Sequence, residues 1–171
     1  DIYVSGNLGD SYLGLLVLQK KIKLNNSSSN YFTSQYFMPN IQLKLANQLK
    51  SFANSSIDIS DGLIADLDKL INNQKFSYKL YLKDIPISFN LRKILKSKKL
   101  SKINLISKGD DYQVLFTASE TKSSLIKKVS NKLGIKITKI GRIQNKSLKS
   151  SIIDENNAVI TLKNKGYFHK F

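Results

Sequence analysis

The chain has 171 residues, of which 28 are basic and 12 acidic, with a formal charge of +16, an apolar share of 41% and no cysteine. That length and apolar share suit one packed domain and argue against wholesale disorder. The lack of thiols excludes disulfides, thiolate metal sites and cysteine nucleophiles, and accords with a reducing compartment.

Residues 1–5 alternate as a short strand, and Gly6-Asn7-Leu8-Gly9 reads as a turn. The opening DIYVSG has neither an initiator Met nor a basic n-region, so the chain reads as a piece cut from a longer protein. Asp10 or Ser11 can cap a helix over 11–24. NNSSSN (25–30) reads as a polar loop. Pro39 leads into a second helix with Leu45, Ala46, Leu49, Phe52 and Ala53 on one face. A third helix, about 61–73, carries the apolar stripe Leu63, Ile64, Leu67, Leu70 and Ile71. KFSYKLYLKDIP alternates Phe76, Tyr78, Leu80 and Leu82, which is a strand stopped by Pro86. A short helix (88–96) and a polar connector follow. A turn at Gly109 then feeds a strand over 112–118, with Tyr112 in the core. A long helix over 121–133 stops at Gly134, 135–143 is a strand, and SIIDENNAVITL is a hairpin around Asn156-Asn157. This irregular mixture predicts an α+β fold, a mixed sheet covered by helices.

The charge invites a nucleic-acid reading, and a basic binding module stays open as an alternative. Only Arg92 and Arg142 are arginine, however, and arginine is the usual residue for bidentate phosphate and base contacts. The densest run, RKILKSKKLSK (92–102), reads first as a solvated helix face. No apolar run approaches the roughly 18 residues needed to cross a bilayer.

Six of the 12 acids fall in two short segments, Asp58, Asp61, Asp66 and Asp68 in the first and Asp110 with Asp111 in the second. In the first, an extended approach puts Asp58 and Ser60 on one side while Asp61 opens a helix, so two carboxylates and a hydroxyl converge at a helix start. Free backbone N–H groups there favour an anion, and Mg²⁺ would reconcile that anion with the carboxylates. Gly62 lets a ligand approach the backbone. Capping explains the same spacing, with Ser60 as N-cap and Asp61 in the first turn. Asp66 and Asp68 read as solvated helix acids, and Asp110-Asp111 serves equally as a turn former. The lone His169 reads as a surface residue, and no Ser/His/Asp triad, His-based zinc site or Walker-type loop is present.

Four segments carry a family resemblance. They are Ser5-Gly6-Asn7-Leu8-Gly9-Asp10-Ser11 with Gly14-Leu15, Ser56-Ile57-Asp58-Ile59-Ser60-Asp61-Gly62-Leu63, Gly109-Asp110-Asp111-Tyr112 with Phe116-Thr117, and Lys165-Gly166-Tyr167. In order and spacing the chain resembles the C-terminal portion of the thiamine-monophosphate kinase family, within the aminoimidazole-ribonucleotide-synthetase-like superfamily. A sister enzyme of that superfamily stays open as an alternative.

The resemblance implies a three-layer α/β/α domain with a mixed sheet over residues 1–171. It implies ATP-dependent phosphorylation of thiamine monophosphate to thiamine diphosphate with several Mg²⁺ ions, in the cytoplasm, with neither membrane nor nucleic acid as partner. An N-terminal domain outside this chain would bind ATP and Mg²⁺ and form a homodimer. By position, Asp58 and Asp61 match Mg²⁺ ligands and Ser60 a nucleotide-phosphate contact. Asp110 falls where the family has a substrate-binding Glu, one methylene longer. Asn164 falls where many members place a substrate-stacking Trp, and Lys108 replaces a Gly.

Overall fold

The computed structural model describes residues 1–71, 76–145 and 147–160. Its organiser is β1 (Ile2–Ser5), in which every residue is buried. Successive side chains of a strand point to opposite faces. Ile2 and Val4 accordingly enter one apolar cluster and Tyr3 the other.

Around β1 the strands β2 (Ala53–Asp58), β3 (Phe76–Tyr81), β4 (Val114–Ala118), β5 (Ile137–Asn145), β6 (Ser151–Ile153) and β7 (Val159–Ile160) form one sheet. Its order is β2-β4-β1-β5-β3-β6-β7. Pairing is antiparallel throughout except for β3 with β6, which run parallel. The sheet is mixed, as the residue pattern predicts.

One face is covered by α1 (Asp10–Leu18), α2 (Asn26–Phe37), α4 (Leu63–Ile71), α5 (Phe89–Lys98) and α6 (Lys102–Ile106). The other packs on α3 (Leu43–Leu49) and α7 (Ser123–Leu133), where Tyr3 stacks on Phe116 and Leu45, Ile126 and Val129 close the layer. The three-layer arrangement is therefore present, with strand β4 sending Leu115 to the first face and Phe116 to the second.

Four expectations are corrected. The first helix ends at Leu18, not near residue 24. The polar loop NNSSSN is the start of α2, with the Asn25 side chain accepting the Ser28 N–H at 2.8 Å. Asn and Ser are good caps as well as loop formers, and α2 buries only Phe32, so no continuous apolar stripe announces it. The polar connector contains α6, whose Ile103, Leu105 and Ile106 are buried. The third helix begins at Leu63 because Gly62 stands at φ +115°, outside helical geometry.

No helix among the described residues is long and apolar enough to cross a membrane. Asn164, Lys165-Gly166-Tyr167 and His169 lie outside the described residues.

Candidate functional site

Two turns are clasped together at one end of the sheet. Strand β2 is an edge strand whose alternation leaves Asn54, Ser56 and Asp58 exposed. Past Asp58 the chain stays bonded to the segment entering β4. Ile59 N–H donates to the Gln113 carbonyl at 2.9 Å, Tyr112 N–H to the Ile59 carbonyl at 2.9 Å and Asp110 N–H to the Ser60 carbonyl at 3.0 Å.

Glycine is required on both sides of this clasp. A Cβ on Gly62 would lie 2.4 Å from the Ser107 carbonyl oxygen, and one on Gly109 2.1 Å from the Ser60 oxygen. Asp110 and Tyr112 also adopt positive φ, +61° and +49°. Non-glycine residues rarely do so, and such strain concentrates where a loop has a task besides connection.

Asp66 organises the first turn. It is fully buried, not solvated, and its Oδ2 accepts the N–H groups of Ser60, Asp61 and Gly62 at 2.9, 2.9 and 3.1 Å. Helical side chains lean toward the N-terminus, so an acid in the first turn of α4 reaches back over the open end. The backbone donors that the spacing offers to an outside anion are thus taken by an internal one. Neither Ser60 nor Asp61 is the cap. Asp66 Oδ1 accepts from Lys69 Nζ at 2.8 Å, and the same ammonium pairs with Asp61. Asp68 is half-buried, and after burial its charge helps raise the Tyr78 hydroxyl, so it too is more than a surface acid.

The clasp brings Asp58, Asp61 and Asp110 into one electrostatic neighbourhood. Burial, then the charge of Asp61, raises the Asp110 carboxyl above the ordinary carboxylate range. Burial, then the charges of Asp110, Asp58 and Asp61, raises the Tyr112 hydroxyl. Tyr112 is 40% exposed and not in the core as expected, because its strained backbone turns the ring outward. Ser60, Asp61, Lys108, Asp110 and Tyr112 share a cavity of about 780 Å³ with residues of α1 and α2. Asp58 is exposed and is not part of the lining, although its charge reaches Tyr112.

Two carboxylates, Asp61 and Asp110, on the wall of one cavity suit a hard divalent cation, which takes oxygen ligands and relieves their repulsion. The donor set therefore fits Mg²⁺ in kind. Among the described residues no three carboxylate or imidazole groups stand close enough together to hold a metal unaided.

A second buried acid was not foreseen. Asp111 reaches the start of α1, accepting the Gly9 N–H at Oδ2 (2.8 Å) and the Ser11 N–H at Oδ1 (3.4 Å). It supplies the cap that the sequence assigned to Asp10 or Ser11. Asp10 instead turns inward and accepts hydroxyls from Tyr31 (3.0 Å) and Ser88 (2.8 Å). Burial pushes the Asp111 carboxyl up to about 7, with the charges of Asp10 and Asp110 adding to the effect and the two backbone bonds opposing it.

No family model matches the chain. Thiamine-monophosphate kinase of Buchnera aphidicola subsp. Schizaphis graminum is 36% identical over 169 residues, which are 98% of this chain and 52% of that protein. The chain is a homologue of one half of thiamine-monophosphate kinase. It spans about half the length of the curated relatives that it matches.

The crystal structure of thiamine-monophosphate kinase from Stenotrophomonas maltophilia K279a superposes with a TM-score of 0.78 at 26% identity, covering 92% of this chain and 50% of that one. AaThiL complexed with AMPPCP and TMP superposes with a TM-score of 0.75 at 24% identity over 98% of this chain and 50% of that one. The fold is the aminoimidazole-ribonucleotide-synthetase-like one that the residue motifs implied.

Proposed function

We propose that this chain is the C-terminal domain of a thiamine-monophosphate kinase, in which the clasped turns 58–62 and 107–112 bind the reacting phosphates through Mg²⁺. The observation that carries the reading is that Ser60, Asp61 and Asp110 line one cavity and that the charge of Asp58 also reaches its Tyr112, in a chain 36% identical to such a kinase. The AMPPCP and TMP complex of a fold neighbour supports the same pair of ligands.

In this reading Asp58 and Asp61 would hold Mg²⁺, Ser60 contacts a nucleotide phosphate, and Asp110 and, by its position in the sequence, Asn164 are assigned to binding the thiamine substrate. Mg²⁺ held there would neutralise phosphate charge and favour alignment of the oxygens for an in-line displacement. A phosphate oxygen of thiamine monophosphate attacks the γ-phosphorus of ATP, the bond to the β–γ bridging oxygen breaks, and ADP leaves. The attacking oxygen is already anionic, so no side chain is required as general base. The role of the protein is positional. The two glycine contacts and the Asp66 cap fix where Ser60 and Asp61 stand, and the pairing of β2 with β4 fixes Asp58. The other half of the protein, in this reading, supplies further metal ligands and a homodimer interface, and the enzyme works in the cytoplasm.

Asp58→Asn tests the assignment in the full-length protein that carries this chain. Turnover is expected to fall by orders of magnitude with an unchanged circular-dichroism spectrum, while the 171-residue chain alone shows no measurable transfer. Near-normal turnover of the variant at saturating Mg²⁺ would refute the metal role.

A further inference from the structure

Lys69 lies on the exposed side of α4, and its ammonium contacts both Asp61 and Asp66. The two acids differ in burial. Asp66 is fully buried and anchored at its other oxygen by three backbone N–H groups, so it cannot turn away. The Asp61 side chain is 20% exposed at the cavity wall, and that of Lys69 is 49% exposed. A lysine is a compact charge on a flexible stem.

We infer that Lys69 is the resident counter-cation of Asp61, tethered by Asp66, and that a divalent cation reaches Asp61 by displacing it. The inference rests on the metal reading above. Asp58, Asp61, Asp66 and Asp110 surround this turn, and Lys69 bridges two of them, which holds the turn together before any metal arrives. When a divalent cation engages Asp61, the ammonium loses one partner and keeps Asp66. The cation site is thereby pre-formed, and its affinity is set below what the carboxylates alone would give.

Lys69→Met removes the competing charge and keeps most of the stem. In the full-length protein that carries this chain, titration with Mn²⁺ alone, followed by electron paramagnetic resonance of the free ion, is expected to show about fivefold tighter binding than wild type, the reach of a half-exposed ion pair. Mn²⁺ should also raise the melting temperature more in this variant, because its metal-free form has lost a counter-charge. Lys69→Gln, which keeps a donor for Asp66, should show the same tightening. Lys69→Arg, which keeps the charge, should stay within about twofold of wild type. Equal or weaker Mn²⁺ binding in Lys69→Met and Lys69→Gln overturns the displacement while the metal reading stands. No Mn²⁺ binding by wild type or variants overturns both.

Discussion

Helices α4 and α1 each follow a glycine at positive φ, Gly62 and Gly9, and in both a buried carboxylate closes the open end. At α4 the carboxylate is Asp66, within the helix itself, taking three backbone N–H groups with Lys69 against its other oxygen. At α1 it is Asp111, 102 residues away from Gly9, taking two backbone N–H groups beside Asp10 and Asp110. One internal anion has a cation against it, whereas the other sits among like charges and makes no ion pair among the described residues. The same device therefore serves two ends. The α4 cap shapes an open turn that can exchange its cation, while the α1 cap locks the 107–112 loop to the body of the domain.

Removing the α4 cap should have the largest effect. Asp66→Ala leaves three N–H groups without their acceptor and leaves Lys69 with Asp61 alone, so stability should fall by about 4 kcal/mol in urea unfolding. A loss below about 1 kcal/mol would mean that water replaces the carboxylate and that the cap does not organise the turn. Next comes Gly109→Ala, in the loop that joins the two regions. A side chain at φ +84° whose Cβ would lie 2.1 Å from the Ser60 oxygen forces the clasp apart, at a cost of about 3 kcal/mol. The same variant should loosen Asp110 from Ser60, visible as faster hydrogen exchange of the Asp110 amide. Unchanged exchange there would show that the clasp does not depend on the glycine.

These two caps also mark how far the sequence could be read. Residue type and spacing put Asp58, Ser60, Asp61 and Asp110 on turns at the mouth of a sheet, and of these Ser60, Asp61 and Asp110 line one cavity while Asp58 does not. Asp66 was in plain view but misassigned. Periodicity places it off the apolar stripe of Leu63, Ile64, Leu67 and Ile71, which argues for solvent, yet in the first turn that position faces the helix end. The clue was its spacing from the SDG turn, a carboxylate four to six residues after three free donors. Asp111 could not have been found that way, since nothing local couples it to Gly9 and Ser11. The clasp between turns 58–62 and 107–112 is likewise a consequence of β2 pairing with β4, a register invisible in either segment. Helix α2 was hidden for a different reason, because Asn and Ser serve loops and caps alike and only Phe32 is fully buried in it.

The charge difference between the two caps leads to a pH test. Asp111 titrates near 7 in the folded chain, against its ordinary value of 3.8. Between those values the folded chain holds a proton at this site that the unfolded chain has released. Stability contributed by that proton is complete below about pH 3.8 and is lost as pH rises through about 7. From pH 5 to 8 the loss should be about 2 kcal/mol. Asp111→Asn keeps an acceptor for one backbone N–H but cannot titrate, so its unfolding free energy should change less across that interval. The Asp10 carboxyl, also raised by burial, acts in the same direction but is present in both proteins, so the difference between the two profiles isolates Asp111. Urea midpoints at pH 5, 6, 7 and 8 measure it. Converging profiles at high pH are the expected result, and parallel ones would mean that the α1 cap is as well compensated as that of α4.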